Sequence, residues 1–523
     1  MIRAARVSAV LCVVALVNIV SFPLVSGADQ WTPTFPPNSI FNFTVSDNVA
    51  VPNSSGISAF VGADNSQGLP TQTANQICPS ITSSGPCNLT ASGTAGGASA
   101  LLPECTTPQQ DDCVASMSLG TDATDMVAST PTGMTLGQTS PADASLGLPA
   151  GSTVGLWTNP LVNGGGTNTY ATSADVQLIF QNGQATISYV SVAIDPYDEV
   201  SDPQAETAAW QQITVNGSPE ISVAWGPGNC AWEQAGECGQ FEDFPSGTVA
   251  QLTLRVPSSV GGWFAGRLDS PSITESAVDS TTDLLTVTGG AVTTPTLALG
   301  YTASNLPASL SAFMASLNLP TSGVSFDVLS NNPQSFTALS ALRDPAENMA
   351  SGAITVWNFS SIPVAPLVGP KGCFDTPDQV DGFVSTNSMI YQSTSPSFAN
   401  GSFGYQVAGM HYNAGGSVME GTYDLNIRDS VAECLYGFTN APISASVSVT
   451  EDSSGDQNVA TTTVSDADGW LHVGAYGFNF SNPTIQVKLT QKKVKRTLIC
   501  VKGKLVRKVV TTNRSCPAGF KKR

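Results

Sequence analysis

Positively charged residues are scarce through most of this chain. Residues 7–487, called the body here, contain all 39 Asp and Glu residues but only five cations, which are Arg255, Arg267, Arg343, Lys371 and Arg428. The body therefore carries a net charge near −34 at neutral pH. Such an imbalance bears on the partners and the attachment of a protein rather than on its fold.

Histidines and the common catalytic motifs are rare or missing as well. The chain has only His411 and His472, and it contains neither a Cys-x-x-Cys pair nor a Gly-x-Ser-x-Gly motif. Both histidines lie in apolar, aromatic stretches, which favours strand histidines with a hydrogen-bond partner. The sequence therefore predicts no metal site, no cofactor and no catalytic residue.

Two groups of acidic residues allow a chemical interpretation. Asp466 and Asp468 resemble part of a calcium loop, but the further acid, the central Gly and the final Glu of such a loop are absent. A hairpin turn at Asp468-Gly469 explains this segment better. The acids of Asp195-Pro-Tyr-Asp-Glu199 and the pair Glu233 and Glu237 offer carboxylates for glycoside hydrolysis, yet such pairs arise by chance among 39 acids. We expect them to be solvated surface residues.

Four tryptophans raise the question of sugar binding. Trp232, Trp263, Trp357 and Trp470 lie in segments with strand character, and exposed tryptophans in a sandwich can stack on sugar rings. Isolated tryptophans in strands are more often core residues. A role in the core is therefore the expected one.

The first residues predict export. Arg3 and Arg6 precede an apolar run from Val7 to Val20, and small residues follow up to Gly27, which is the layout of a secretory signal. No later segment has the apolar length of a transmembrane helix. We expect residues 1–27 to be removed and the protein to be secreted, extracellular or held at the cell surface.

The cysteines agree with an oxidising compartment. Ten cysteines remain when Cys12, inside the apolar run, is set aside. An even number in an exported chain favours disulfides over zinc. Proximity along the chain predicts the bridges Cys78–Cys87, Cys105–Cys113, Cys230–Cys238 and Cys500–Cys516, with Cys373–Cys434 as the long-range bridge.

Hydrophobic patterning predicts a mainly β fold. Asn182-Gly183 and Asn216-Gly217 each separate two apolar segments, which is a strong hairpin signal. Alternation from Ile443 to Val449 indicates a strand with one buried and one solvated face, and 423–427 and 485–489 repeat the pattern. Helical spacing occurs only within 304–351, where 310–317 and 336–342 predict two short helices.

These patterns divide the chain into consecutive regions. We expect two antiparallel β-sandwich-like domains, the second immunoglobulin-like, with Cys373–Cys434 joining two strands or a loop and a strand across it. The expected regions are a signal peptide (1–27), an irregular Ser/Thr/Gly-rich region with two disulfide loops (28–155), a first sandwich (156–301), a helical connection (302–352), a second sandwich (353–490) and a basic disulfide-closed tail (491–523).

The tail holds most of the cations. It contains no acid, and Lys488 lies three residues before it. Segments 497–501 and 505–510 predict a hairpin, which the Cys500–Cys516 bridge stabilises because a lone hairpin is marginal in water. The residues nominated for contact with an anionic surface are Lys492, Lys493, Lys495, Arg496, Lys502, Lys504, Arg507, Lys508, Arg514, Lys521, Lys522 and Arg523.

The tail also carries a resemblance. Leu498-Ile-Cys-Val-Lys-Gly-Lys504 followed by Ser515-Cys-Pro-Ala-Gly-Phe-Lys-Lys522 resembles the short basic two-cysteine tail of many exported actinobacterial proteins. The segments 405–412, 434–438 and 468–471 are similar to uncharacterised secreted proteins of that kind. The resemblance covers about the last third of the chain and implies an exported surface or envelope protein, with no implied activity.

Charge and export together lead to a functional expectation. We expect a non-catalytic envelope or surface protein whose tail binds, by charge alone, an anionic cell-envelope polymer or lipid surface, or the acidic face of another copy. Nucleic acid is not an expected partner because the protein is exported. A carbohydrate-binding protein is the alternative, a secreted hydrolase is a third possibility, and folding of the tail back onto the acidic body also stays open.

Overall fold

The structure is a computed structural model of the chain. It describes residues 31–523 except for 32, 48–56, 61–74, 78–95, 136–141, 143–144, 146, 148, 152–154, 182–183, 202–209, 216–217, 224–231, 235–236, 330–334, 363–371, 375–378, 393, 438–442, 452–456, 459–460, 481–482, 492–495 and 512–515. The predicted signal peptide, the Cys78–Cys87 bridge and Cys230 of the Cys230–Cys238 bridge lie outside these residues.

The predicted mainly β fold is confirmed. Strands in the first part are β1 (Phe41–Ser46), β2 (Ile57–Phe60), β3 (Asn75–Ile77), β4 (Gly96–Leu101), β5 (Cys113–Gly120), β6 (Val127–Ala128), β7 (Thr130–Thr135), β8 (Gly155–Thr158), β9 (Thr169–Gln181), β10 (Gln184–Ser201), β11 (Trp210–Val215), β12 (Ser218–Val223), β13 (Trp232–Gln234), β14 (Glu237–Phe241), β15 (Val249–Pro257), β16 (Gly262–Arg267), β17 (Asp269–Ala277), β18 (Thr282–Gly290) and β19 (Val292–Tyr301). Strands in the second part are β20 (Val324–Leu329), β21 (Gly352–Ser361), β22 (Val380–Thr386), β23 (Ile390–Tyr391), β24 (Ser397–Ala399), β25 (Ser402–Ala408), β26 (Gly421–Arg428), β27 (Ile443–Glu451), β28 (Gln457–Asn458), β29 (Thr461–Ala467), β30 (Trp470–Phe478), β31 (Pro483–Gln491), β32 (Arg496–Lys502), β33 (Leu505–Thr511) and β34 (Lys521–Lys522). The helices among the described residues are α1 (Ala308–Ser316), α2 (Ser335–Arg343) and α3 (Asp429–Tyr436).

One sheet runs through most of the body. Its strands pair in the order β3–β2–β4–β9–β10–β21–β16–β22–β26–β30–β29, and only the β16–β22 step is parallel. Strand β1 pairs with β19 and, in parallel, with β20. Strands from segment 28–155, where the sequence predicts irregular structure, thus pair with strands far along the chain, and those distant partners are invisible to local patterning.

Smaller sheets pack beside this one. One has the order β17–β18–β15–β5–β6, and another has the order β23–β25–β31–β27–β28 with β24 paired to β25. Strands β33, β32 and β34 form a sheet of their own at the end of the chain. The immunoglobulin-like character of residues 353–490 and the division into domains stay predictions.

Three large groups of buried apolar side chains fill most of the described part of the body, and two small groups accompany them. The first joins the long strands β9 and β10 to β15, the second joins β26 and β30 to β25 and β31, and the third packs α1 and α2 against β1. Representative members are Val176, Val190, Leu252 and Trp357 in the first group, Phe403, Leu425, Val473 and Val487 in the second, and Phe43, Leu310, Leu339 and Leu342 in the third.

The predicted hairpins are confirmed. Strands β9 and β10 pair directly across 182–183, and β11 and β12 pair across 216–217. Strands β29 and β30 meet at Asp468 and Gly469, whose φ angles of 55° and 84° are those a two-residue hairpin turn requires. The turn interpretation of Asp466-Ala-Asp468-Gly469 is therefore correct.

The helical prediction is right for two elements and incomplete for a third. Helices α1 and α2 lie where the spacing predicts them, but α3 lies outside 304–351. It begins after the extended Arg428, has Asp429 in its first turn, and ends at Gly437 with a left-handed φ of 64°. Its eight residues bury only Val431 and Ala432, too short a pattern to show helical periodicity.

Three disulfides occur among the described residues, and all three were predicted. They are Cys105–Cys113, Cys373–Cys434 and Cys500–Cys516. The expected setting of Cys373–Cys434 is wrong in one respect, because Cys434 lies on α3 rather than on a strand. The bridge therefore attaches a loop to a helix.

A candidate site on the basic C-terminal sheet

The tail folds as a small sheet held by its own disulfide. Strands β32 and β33 pair from Arg496↔Thr511 to Lys502↔Leu505, across a turn in which Gly503 has a φ of 59°. The sequence predicts this hairpin but misses β34, which pairs with the other edge of β32. The third strand forms because Cys500–Cys516 brings the last residues back to β32.

One face of this sheet is covered by the end of the chain. Leu498 and the bridged Cys500 are buried there, although the sheet is small. On the same face the Arg507 guanidinium lies over the Phe520 ring, 5.8 Å from its centroid. A turn in which the Phe520 N–H donates to the Pro517 carbonyl holds that ring in place.

The opposite face, called the open face here, is uncovered. Register places Ile499 opposite Lys508 and Val510 opposite Thr497, and it places Val501 between Val506 and Lys521. Ile499, Val506 and Val510 are 47%, 54% and 63% exposed. Exposed aliphatic side chains therefore lie among the lysines of the tail, and attachment by charge alone stays a prediction.

The described cations of the tail are accessible to solvent. The cations with a described side chain are all exposed, and none of them forms an ion pair with a carboxylate of the described residues. These cations are Lys502, Lys504, Arg507, Lys508, Lys521, Lys522 and Arg523. Arg496 begins β32, and Lys488 is exposed on β31. Lys492, Lys493, Lys495 and Arg514 lie outside the described residues.

A second cluster of polar residues lies in the body, around Asp424. This carboxylate is fully buried on β26, and its Oδ1 atom is 2.8 Å from Nε2 of His472 on β30. The Tyr476 hydroxyl donates to the same oxygen, and the Ser270 backbone N–H lies 3.4 Å from the other. Burial raises the pKa of Tyr476, and the negative charge of Asp424 raises it further, so the phenol stays a donor.

The sequence misses Asp424 and Tyr476 for a specific reason. The alternation at 423–427 predicts a solvated outer face for β26, yet Asp424 and Asn426 are buried. Strand β17 crosses this face: Asn426 Nδ2 donates to the Pro271 carbonyl, and Arg428 pairs with Glu275. Polar residues at alternate positions of a strand indicate a covered polar face only when the strand that covers this face is known.

The hydrogen-bond partners of Asp424 are those of a structural network. In register, His472 faces Ser465, the residue type of a nucleophile, on the neighbouring β29. Within the described residues, however, the exposed Ser465 hydroxyl makes no hydrogen bond to the imidazole, and the second donor to Asp424 is a tyrosine. The expected role of His472, a strand histidine with a hydrogen-bond partner, agrees with this geometry.

The remaining nominated residues are dispersed. The expected strand position is wrong for His411, which lies in a loop against the Tyr412 ring and donates its backbone N–H to Asn348. Trp263 and Trp357 are buried in the core and cannot stack on a sugar, whereas the Trp470 ring lies under the Arg428 guanidinium.

The nominated acids lie on three strands that pair in the order β10–β14–β13. The expectation of solvated acids is wrong for Asp195, which is buried on β10, whereas Glu199 on the same strand is exposed. Asp198 also lies on β10, and Glu233 and Glu237 lie on β13 and β14. In the part of the chain that the structure describes, no group of three metal-binding side chains is found. No described helix is long and apolar enough to cross a membrane.

No family model, no curated protein and no solved structure matches this chain.

Proposed function

We propose that this is an exported, non-catalytic envelope or surface protein, and that its basic C-terminal sheet attaches it to an anionic component of the cell envelope. The single observation that carries the proposal is that the tail forms a separate, disulfide-closed sheet, in which every cation with a described side chain is exposed. The likeness of the tail to those of exported actinobacterial proteins supports the same conclusion.

The energetics of such an attachment are adequate. Near an anionic surface each Lys or Arg contributes about 1 kcal/mol, and the contribution falls off within a Debye length. A few of the 13 cations from Lys488 onwards, engaged together, hold a protein reversibly. The body, with its net charge near −34, is repelled by the same surface, so that contact is confined to the tail.

The test compares the full chain with one that ends at Thr490. We expect the full chain to sediment with isolated cell envelopes at low salt and to be released as salt rises, and the shorter chain to stay in solution. The shorter chain should keep its melting temperature, because β32, β33 and β34 pair only with one another among the described strands. Equal sedimentation of both chains at low salt refutes the attachment role.

A further inference from the structure

We infer that the anionic component is a lipid bilayer, which the open face of the C-terminal sheet binds with its aliphatic side chains inserted at the level of the headgroups. This inference rests on the attachment role proposed above and names its partner. It depends on the placement of charge and apolar surface on one face of a three-stranded sheet.

The open face places cationic and aliphatic side chains opposite each other on neighbouring strands. Ile499 lies directly across from Lys508, and Val501 lies between Val506 and Lys521. The last residue, Arg523, donates its backbone N–H to the Ile499 carbonyl and extends this row of cations. Long cationic side chains can reach outward to phosphate groups while the aliphatic side chains beside them enter the apolar boundary.

The composition of this face favours lipid over a protein partner. Protein interfaces are enriched in aromatic residues and depleted of Lys at their centre. The open face has Lys508 at its centre and no aromatic residue, because Phe520 packs on the covered face. The acidic face of a second copy is therefore a poorer match than a bilayer.

The exposed aliphatic side chains also distinguish lipid from a soluble anionic polymer. A polymer of phosphates or carboxylates binds through charge, and the aliphatic side chains of Ile499, Val506 and Val510 add nothing to such binding. On a bilayer the same side chains leave water, which adds a contribution that salt does not screen.

The experiment uses the full chain and a variant in which Ile499→Thr, Val506→Thr and Val510→Thr are combined. Threonine keeps strand propensity and leaves every charge in place, and mapping of the Cys500–Cys516 bridge verifies that the sheet has formed. Leu505→Thr is the matched control, because Leu505 is 48% exposed but lies on the covered face. The probes are vesicles of mixed phosphatidylglycerol and phosphatidylcholine, and soluble polyglutamate, each over a salt series.

We expect the triple variant to bind the vesicles roughly 10- to 100-fold more weakly than the full chain, and to bind polyglutamate equally well. The Leu505→Thr variant should match the full chain on both probes. Unchanged vesicle binding by the triple variant overturns the inference. The inference is also overturned if the full chain self-associates and the triple variant does not, because that result identifies a second copy as the partner. If the chain ending at Thr490 still binds envelopes, the attachment role itself fails, and that result is distinct from the other two.

Discussion

Single polar residues in this protein are buried where the chain crosses or closes on itself. Asp424 is held by donors from β30 and from the start of β17. Asp112 lies in the loop that Cys105–Cys113 closes, with a left-handed φ of 54°, and no hydrogen bond to its Oδ1 atom is found within the described residues. Burial, and to a smaller extent the charge of the neighbouring Asp111, raise the pKa of Asp112 to about 6.

This raised pKa makes stability depend on pH. The folded state binds the proton more tightly than the unfolded state, so stability is highest below the ordinary pKa of 3.8 and falls as pH rises to about 6. The Asp112→Asn variant, whose side chain tolerates a positive φ, should therefore be more stable than the parent chain by about 3 kcal/mol at pH 7. At pH 4 the difference should nearly vanish. Denaturant unfolding at both pH values measures it.

Asp122→Asn is the control for this experiment. Asp122 is exposed, and hydrogen bonds from the Thr124 hydroxyl and N–H lower its pKa, so its contribution to stability is present at neutral pH and lost in acid. Its replacement should destabilise the protein slightly at pH 7. An equal shift of both variants at pH 7 contradicts the assignment for Asp112.

At the scale of elements, the short helix α3 depends on what surrounds it. Helices of this length are unstable alone in water, and α3 buries only two side chains. The Cys373–Cys434 bridge attaches it to a loop 61 residues earlier in the chain. A covalent link across that separation restricts the unfolded chain far more than a link within a local loop.

The two body disulfides among the described residues should therefore differ in their contribution to stability. Loop-closure entropy predicts a loss of about 4 kcal/mol for Cys373→Ala with Cys434→Ala, and of about 2.5 kcal/mol for Cys105→Ala with Cys113→Ala. The separations of 61 and 8 residues set this order. Free energies of unfolding for both double variants measure it. A larger loss at the short loop shows that packing, rather than chain entropy, decides these contributions.

At the scale of the whole molecule, one buried charge joins distant parts of the chain. Arg267 is fully buried at the end of β16, where it pairs with Asp47 after β1 and donates to the Thr386 carbonyl at 2.8 Å. Its guanidinium lies over the Tyr391 ring, 4.4 Å from the centroid. It therefore joins β1 to β22 and β23, although β1 lies hundreds of residues before these two strands in the sequence.

Removal of this charge should destabilise the protein strongly. Arg267→Met leaves the Asp47 carboxylate buried with its guanidinium partner gone, and we expect a loss of about 3–5 kcal/mol of unfolding free energy. The double variant with Asp47→Asn should recover a large part of that loss, because the buried charge is removed as well. Chemical denaturation of the single and double variants measures the coupling. Additive losses mean that the two charges do not interact.

The features predicted correctly from the sequence are those that residues close together along the chain specify by themselves. The turn at Asp468-Gly469 follows from two residues that accept positive φ, and the β32–β33 hairpin follows from two apolar segments around Gly503. The described disulfides follow from the even number of cysteines and their spacing. The mainly β class follows from alternation, which reports a buried and a solvated face within a single strand.

Tertiary structure decided which faces meet. Local sequence cannot show that β1 pairs with β19 and β20, or that β17 covers Asp424, because strand pairing joins residues whose separation along the chain leaves no local pattern. The same holds for the open face. The composition of the tail determined its charge. The tertiary structure decided which aliphatic side chains stay in water beside the lysines, through the register of β32, β33 and β34 and through the packing of Phe520 on the other face.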